Sequence, residues 1–426
     1  MRAKSAAKPR AEEPTKAVGT TPDGRRPFRA AAGHALRAGQ HLWTAVGIAL
    51  LILLMAELVL RRLLPSVPSV PIETYRPGFP TQSADWLNAF GREMAETVGT
   101  FETTGIRWQP YCYSRGRAFQ GQFVNVDENG LRRTWRPTPS PGDPPDVRIF
   151  AFGGSAMWGV GDRDDYTIPA LIGQKLLERG IRAEVFNFAQ LGHVNTQELL
   201  ALTTELQRGN IPDLAIFLDG YNDICSSYLN QRPGVSLHEE ERRREFKLLR
   251  RPSSELFALG VANLQLSRLF AGKQESPPVA LPDGPGWHTV DDLTRGSMEL
   301  YNRNVRVIRA LGGEFGFQSL FCWQPLTYTK RQLTEFERQQ VAGRDVQRRL
   351  CLVVYERVAR AFSTSVPASL GEAWGPAPCF LADVFDDPPW DQQTAFYDRC
   401  HLTEPANAAI ADRLLPIVVD SLAKAR

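Results

Sequence analysis

Apolar residues follow two alternating patterns through the C-terminal two thirds of the chain. Short apolar runs bounded by Gly, Pro or polar residues predict strands, and longer segments with apolar residues at helical spacing predict helices. The predicted strands cover residues 147–152, 183–189, 214–219, 318–323 and 381–384. The predicted helices cover residues 167–179, 196–208, 300–311, 334–361 and 405–422. This alternation predicts an α/β fold with a parallel sheet between helices, in which ligands bind at the carboxyl ends of the strands.

One segment near the N-terminus is apolar almost without interruption. Residues 42–60 read LWTAVGIALLILLMAELVL, and Glu57 is the only charge among them. About 20 apolar residues span a bilayer, so we interpret residues 42–64 as a single transmembrane helix. A buried core helix and a signal peptide are the alternatives. A signal peptide has a shorter apolar stretch and a small-residue cleavage site, whereas Arg61 and Arg62 follow this segment.

Charge around this segment predicts an orientation. Residues 1–41 contain nine Lys and Arg against three Asp and Glu and lack an apolar period, so we expect a disordered basic tail. More Arg residues precede the apolar segment than follow it. The positive-inside rule therefore favours a cytoplasmic tail and an extracytoplasmic body, which in a bacterium means the periplasm or the cell surface.

Residues 65–146 are interpreted as a linker and a small N-terminal extension. Pro65, Pro68 and Pro71 indicate an extended stalk, and Asn129-Gly130 predicts the turn of a small hairpin. The Pro-rich segment 136–146 predicts the boundary to a domain that covers residues 147–426.

Overall composition excludes some functions. The whole chain carries a net charge of +3, yet the tail alone accounts for more than this, so the rest is slightly acidic. A general nucleic-acid partner is not expected, because it requires a broad basic face. The six Cys residues show no CxxC spacing, which disfavours a structural zinc site and a disulfide-built scaffold. Cys379 and Cys400 could pair if the last strand lies close to the loop that carries Cys400, and the sequence does not fix the connectivity.

Small and polar residues follow the predicted strands. The first strand leads into Gly153-Gly154-Ser155, the second reaches Gly192-His193, and the third leads into Gly220-Tyr221-Asn222-Asp223. Asp398-Arg399-Cys400-His401 precedes the last predicted helix. The Ser segment differs from the Gly-x-Ser-x-Gly nucleophile elbow of the α/β-hydrolases.

These four segments, in this order, resemble the blocks of the SGNH hydrolase superfamily (GDSL-type esterases). The blocks are a Ser, a Gly, Gly-x-Asn-Asp and Asp-x-x-His, and they correspond here to Ser155, Gly192, Gly220–Asp223 and Asp398–His401. The chain departs from the pattern at Gly154, where the family has Asp in Gly-Asp-Ser. The resemblance implies a flavodoxin-like, three-layer α/β/α fold and hydrolysis or transfer of an acyl group on an ester.

The chemistry of these residue types agrees with that interpretation. A Ser hydroxyl is a weak nucleophile and needs a base, which His401 can supply while Asp398 holds its imidazole in the required tautomer. The backbone N–H groups of Ser155 and Gly192 and the Asn222 amide would stabilise the oxyanion. Such chemistry requires no cofactor. Asp219 and Asp223 lack further partners at metal-ligand spacing, so no metal site is predicted.

Several other residues allow two interpretations. Trp158, His193 and Tyr221 flank the predicted site as possible substrate contacts, although the aromatics could equally be core and His193 an exposed loop residue. An insertion at about 224–288 would form either a lid or a surface excursion. Apolar residues in it could line an acyl groove, and they are Leu229, Leu248, Leu249 and Phe257.

The expected protein is a membrane-anchored serine hydrolase. Its location and the resemblance favour an esterase, deacetylase or O-acyltransferase that acts on cell-envelope carbohydrate. The alternatives are a lipid-directed esterase or lysophospholipase, held near its substrate by the anchor, and a non-catalytic envelope assembly protein. The sequence leaves the oligomeric state open.

Overall fold

The computed structural model describes residues 26–63, 72–98, 105–136, 145–237, 239–248, 289–363 and 379–425. The helix α1 (Arg26–Leu63) and a compact unit that begins after Leu64 are described separately.

Helix α1 contains a segment, Gly39–Leu60, that is long and apolar enough to cross a membrane. The expectation of a disordered tail up to residue 41 is wrong for residues 26–41, which are helical. Alanine is the strongest helix former, and five alanines precede the apolar segment directly, so the helix continues back through them. Residues 1–25 lie outside the described residues.

The N-terminal extension contains one helix and two small hairpins. Its elements are α2 (Ala84–Val98), β1 (Ile106–Gln109), β2 (Tyr113–Gly116), β3 (Phe119–Gln120) and β4 (Asn125–Val126). Strand β1 pairs antiparallel with β2, and β3 pairs antiparallel with β4. The predicted turn at Asn129-Gly130 is confirmed, because Gly130 has a φ of 75° and donates its N–H to the Asp127 carbonyl.

The main sheet has five parallel strands. They are β5 (Val147–Gly153), β6 (Ala183–Asn187), β7 (Leu214–Asp219), β8 (Gln318–Trp323) and β9 (Cys379–Phe380), in the order β6-β5-β7-β8-β9. This order, 2-1-3-4-5, is that of the flavodoxin-like fold. The predicted fold class is therefore confirmed.

Helices cover both faces of the sheet. They are α3 (Ser155–Trp158), α4 (Ile168–Glu178), α5 (Asn195–Gln207), α6 (Tyr221–Asn230), α7 (Glu239–Leu248), α8 (Val290–Phe315), α9 (Glu335–Val341), α10 (Asp345–Ser363) and α11 (Glu404–Ala425). Successive strand residues point to opposite faces, so β5 places Ile149 in a core with α4 and α11 and Phe150 in a core with α5 and α8.

The extension is part of the compact unit rather than a linker before it. Leu87, Phe90 and Met94 of α2 are fully buried in the same core as Ile149 and Leu414. The expected boundary at 136–146 is therefore wrong, because it does not separate two compact units. A linker cannot bury apolar side chains against a sheet, whereas the amphipathic helix α2 does so.

Two other predictions are corrected. The helix expected over 334–361 is two helices, because Gly343 adopts a φ of 72° between α9 and α10. The last strand covers Cys379–Phe380 instead of 381–384, which forms a turn after Leu381.

Candidate active site

The Ser155 hydroxyl is positioned by the end of β5. Gly154 is the N-cap of the short helix α3, and Ser155 is the first helical residue. The chain leaves this helix through Gly159, whose φ of 94° favours glycine. The strand end thus holds Ser155 at the edge of the sheet where parallel α/β folds bind their ligands.

His401 and Asp398 lie on a tight loop before α11 and meet Ser155 there. His401 Nε2 is 2.7 Å from Ser155 Oγ, and His401 Nδ1 is 2.7 Å from Asp398 Oδ2. The other carboxylate oxygen, Oδ1, accepts the N–H groups of Cys400 and His401, each at 2.9 Å. The three side chains predicted to act together therefore form one continuous hydrogen-bonded chain.

The two ionisable members of this chain stabilise each other's charged forms. Burial alone would raise the pKa of Asp398, but the charge and hydrogen bonds of His401 and the loop N–H groups hold it well below its usual range. Burial alone would lower the pKa of His401, but the Asp398 carboxylate raises it well above its usual value. The Asp398 side chain is 34% exposed and that of His401 is 21% exposed, so most of the dyad is buried and one side of it can be reached from solvent.

Asn222 lies against the nucleophile segment. Its Nδ2 donates to the His193 carbonyl at 2.8 Å, and a Cβ atom added to Gly154 would lie only 2.1 Å from that nitrogen. Gly154, the departure from the family pattern, therefore makes room for the Asn222 amide. Gly192 has a φ of 71°. Among the described residues, no acceptor is bonded to the backbone N–H of Ser155 or Gly192.

The sheet order explains why these segments converge. The chain runs from β5 to β6 on one side and then crosses to β7 on the other, so the ends of β5 and β7 border the topological switch point. Ser155 follows β5 and Asn222 follows β7. Ligand sites of open parallel sheets lie at such a point.

The three possible substrate contacts are buried. Trp158 is 2% exposed beneath the Arg132 guanidinium, which lies 4.3 Å from its ring centre. His193 is not an exposed loop residue: it is 3% exposed, its Nε2 lies 3.2 Å from the Ser114 carbonyl, and burial lowers its pKa to about 4. Tyr221 is 9% exposed, and its hydroxyl accepts a hydrogen bond from Gln347.

Arg132, which the sequence did not single out, supports the nucleophile segment from the extension. It is 1% exposed and forms an ion pair with Asp164 at 3.2 Å. Its guanidinium also donates to the carbonyls of Gly159 and Asp162, each at 2.5 Å. No sequence motif relates residue 132 to these partners, so only the folded chain reveals the contact.

Glu337 and Lys330 support the loop that carries Asp398 and His401. Their side chains are 0% and 1% exposed and form an ion pair at 2.6 Å. Glu337 Oε1 also accepts the N–H groups of Ala395 and Phe396 at 2.8 and 3.2 Å. The Thr-x-x-Glu capping box at the start of α9 is visible in the sequence, but its contact with this loop is not.

The carboxylates considered as metal ligands have other partners. Asp219 Oδ2 accepts bonds from Asn195 and Tyr301, each at 3.0 Å, and Asp223 Oδ1 accepts the N–H of Asn195 at 3.1 Å. Ligand atoms of Asp398, Cys400 and His401 lie within 4.8 Å of one another. Both ring nitrogens of His401 are already engaged by Asp398 and Ser155.

Cys379 and Cys400, the pair considered from the sequence, have other cysteines as neighbours. Cys379 stands opposite Cys322 in the β8–β9 register, and the neighbouring Cys322 thiol lowers the pKa of Cys379 below its usual value. Cys400 is buried near Cys351 instead, and all six thiols are free. The suggested pairing of Cys379 with Cys400 is therefore not formed.

The region after Asn222 is only partly described. Leu229 of α6 is 54% exposed and Phe246 of α7 is 59% exposed. Two members of the suggested acyl groove, Leu249 and Phe257, lie outside the described residues, and a third, Leu248, is the last residue of α7.

No protein-family model and no curated protein matches the chain. Solved structures do match at low similarity. An acetyl xylan esterase, AlAXEase, shares 12% identity with a TM-score of 0.33, over 64% of this chain and 100% of that one. A carbohydrate acetylesterase family member from Sinorhizobium meliloti shares 14% identity with a TM-score of 0.29, over 65% and 99% of the two chains.

A third match is TesA, at 15% identity and a TM-score of 0.30, over 66% of this chain and 99% of that one. Because these TM-scores are low, we base the interpretation on this chain's own sheet order and side-chain contacts. Ser155, Gly192 and Gly220–Asp223 follow β5, β6 and β7, and Asp398–His401 lies on the loop before α11.

Proposed function

We propose that the protein is a membrane-anchored serine hydrolase that cleaves or transfers an acyl group on an oxygen ester. The observation that carries this proposal is the hydrogen-bonded chain from Ser155 through His401 to Asp398, with both contacts at 2.7 Å. A turn with a purely structural role would not require a nucleophile, a base and an orienting carboxylate joined in one hydrogen-bonded chain.

The proposed reaction has two acyl-transfer steps. Ser155 Oγ attacks the ester carbonyl while His401 Nε2 takes the hydroxyl proton, and the oxyanion is stabilised by Asn222 and the N–H groups of Ser155 and Gly192. The alcohol leaves with the proton from His401, which gives an acyl-enzyme. Water or an acceptor hydroxyl then attacks the acyl group, His401 takes its proton, and Ser155 is regenerated.

We assign the substrate to acylated carbohydrate of the cell envelope. This rests on the family resemblance and on the apolar segment Gly39–Leu60, which would hold the body at a membrane surface. The same segment also fits the second candidate, a lipid-directed esterase, because it would hold the active site near lipid substrates. Leu229 and Phe246 favour this candidate as well, because their exposed apolar side chains could contact an acyl chain. Both candidates use the same acyl-enzyme, and they differ in the acyl chains and alcohols they accept.

The test uses the full-length chain in detergent with a fluorophosphonate probe and p-nitrophenyl esters of increasing chain length. We expect Ser155-dependent labelling and turnover, which Ser155→Ala abolishes and His401→Ala reduces by at least about 10³-fold. Ser421→Ala, on α11, is the matched control and should retain both. A preference for acetyl esters supports the carbohydrate substrate, and a preference for long chains supports the lipid. If the folded Ser155→Ala variant is labelled as well as the unsubstituted chain, the proposal is contradicted.

A further inference from the structure

Arg399 lies on the loop between Asp398 and His401, and its guanidinium is held in one position. Nη1 donates to Gln347 Oε1 at 3.1 Å, and the guanidinium carbon lies 5.9 Å from the centre of the Tyr221 ring. Gln347 is itself fixed, because its Nε2 donates to the Tyr221 hydroxyl at 2.7 Å. Helices α6 and α10 therefore define where this charge stands.

The charge has no carboxylate partner among the described residues. Other arginines of the compact unit, such as Arg132 and Arg163, form ion pairs with Asp164 and Glu404. The neighbouring Asp398 uses its two oxygens on His401 and on loop N–H groups. Arg399 is half-buried, and Gln347 Oε1 is the one acceptor that the described residues give its guanidinium.

The position of this charge matters for the substrate. Arg399 adjoins Asp398 and is two residues from His401, while the ring beneath it belongs to Tyr221, the residue before Asn222. A fixed guanidinium beside the triad and the oxyanion amide is well suited to binding a carboxylate or a phosphate, which accept its fork of N–H donors.

We infer that Arg399 forms a subsite for an oxyanionic group that the ester substrate carries close to the scissile bond. The inference rests on the proposed function and narrows its substrate to esters of acidic sugars. A phosphate on a lipid headgroup offers the same chemistry from another source. The body is slightly acidic as a whole, so Arg399 supplies a local attraction rather than a general one.

Another role for Arg399 would be purely structural, in which it joins the loop to α10 through Gln347. The two roles predict different kinetics. A structural residue affects every substrate alike, whereas a subsite residue affects only substrates with the matching charge.

The experiment compares two substrates with the full-length chain in detergent. One is a methyl glucoside bearing a single O-acetyl group on a ring hydroxyl. The other is the matching methyl glucuronide, which has a carboxylate in place of the hydroxymethyl group at C6. Acetylated glycerol and acetylated glycerol 3-phosphate form a second pair for the phosphate source. We expect the unsubstituted chain to have a higher kcat/KM for the glucuronide than for the glucoside. Arg399→Gln should lower kcat/KM for the glucuronide by about 10- to 100-fold and change kcat/KM for the neutral glucoside by no more than about twofold.

Arg348→Gln, which removes an exposed charge next to Gln347, is the matched control and should alter neither value. Equal losses on neutral and anionic esters, or a wild-type protein without preference for either charged ester, would overturn the inference. Preference for the glycerol phosphate alone would replace the acidic sugar with a lipid headgroup and so overturn the sugar assignment.

A separate measurement keeps the two proposals distinguishable. Binding of the acetylated glucuronide to Ser155→Ala, followed by calorimetry, requires no turnover. Binding that Arg399→Gln abolishes supports the subsite even if no ester is cleaved, in which case the proposed function fails alone. Equal binding of the glucoside and the glucuronide to Ser155→Ala contradicts the subsite.

Discussion

The pair formed by Asp398 and His401 determines how the site should respond to pH. His401 can accept the Ser155 proton only when its imidazole is neutral, and the Asp398 carboxylate raises the pKa of His401 well above 6.5. We therefore expect kcat/KM to increase with pH through a pKa above that value. In Asp398→Asn the attraction is lost while burial remains, so this limb should move to lower pH and kcat should fall by about 10⁴-fold.

The measurement is a kcat/KM profile for a short neutral ester, between about pH 5 and about pH 10. Asp420→Asn on α11, whose carboxylate pairs with the exposed Lys424, is the control and should leave the limb unchanged. An unshifted limb in Asp398→Asn would mean that another group controls the pH dependence.

At the residue level, the sequence predicted the groups with characteristic motifs and missed those that act through distant contacts. Ser155, Asp398 and His401 were singled out because each stands in a short pattern, and the structure brings them within hydrogen-bond distance. Arg132 and Glu337 were missed because the backbone groups that they support, such as the Gly159 carbonyl and the Phe396 N–H, are 27 and 59 positions away in the chain. Such contacts depend on tertiary packing, which residue patterns do not record.

At the level of elements, helix α9 acts as a support for the loop that carries Asp398 and His401. Glu337 at its start pairs with buried Lys330 and accepts two N–H groups of that loop. Removing one member of a buried ion pair leaves an uncompensated charge. We expect Glu337→Gln to lower the free energy of unfolding by about 3–5 kcal/mol and to reduce kcat, as urea unfolding and ester turnover would measure.

The design of this test separates charge from packing. The double variant Lys330→Met/Glu337→Gln removes both charges and should recover part of the stability lost by Glu337→Gln. Glu335→Gln removes an exposed charge from the same helix and should have little effect. If Glu337→Gln is as stable and active as the unsubstituted chain, α9 does not support the loop.

The accuracy of the predicted elements follows from what bounds them. Strands β7 and β8 were predicted to the residue, because each is a fully or largely buried apolar run with clear limits. Gly343 was passed over inside a helical pattern, since glycine is tolerated in helices and the residue pattern does not reveal its φ of 72°. Strand β9 has only two residues and is defined by its pairing with β8. A two-residue segment is too short for a residue pattern to predict that pairing.

At the level of the whole molecule, the extension and the sheet form one folding unit. Phe90 and Met94 of α2 share a core with β5, and segment 131–134 bridges to Asn187 at the edge of the sheet. Thr134 also donates to the Val185 carbonyl at 2.5 Å. These contacts cover the edge strand β6, which would otherwise expose unpaired backbone groups. The Pro-rich sequence pointed to a boundary here because composition does not reveal burial.

The orientation of α1 is the remaining property of the whole molecule that can be tested directly. Arg25, Arg26, Arg29 and Arg37 precede the apolar segment and only Arg61 and Arg62 follow it, so the positive-inside rule favours an extracytoplasmic body. In a bacterial host we expect alkaline phosphatase fused after Arg426 to be active and green fluorescent protein at the same position to be dark.

The rule also predicts how to weaken this orientation. Replacing the four preceding arginines by Gln reverses the charge difference across the apolar segment, so part of the population should invert and the fluorescent fusion should gain signal. Arg182→Gln, within the body, changes charge without changing the flanks and is the control. Fluorescence from green fluorescent protein fused to the unsubstituted chain would show that the body lies in the cytoplasm. That result would remove cell-envelope carbohydrate as the substrate while leaving the chemistry of Ser155 intact.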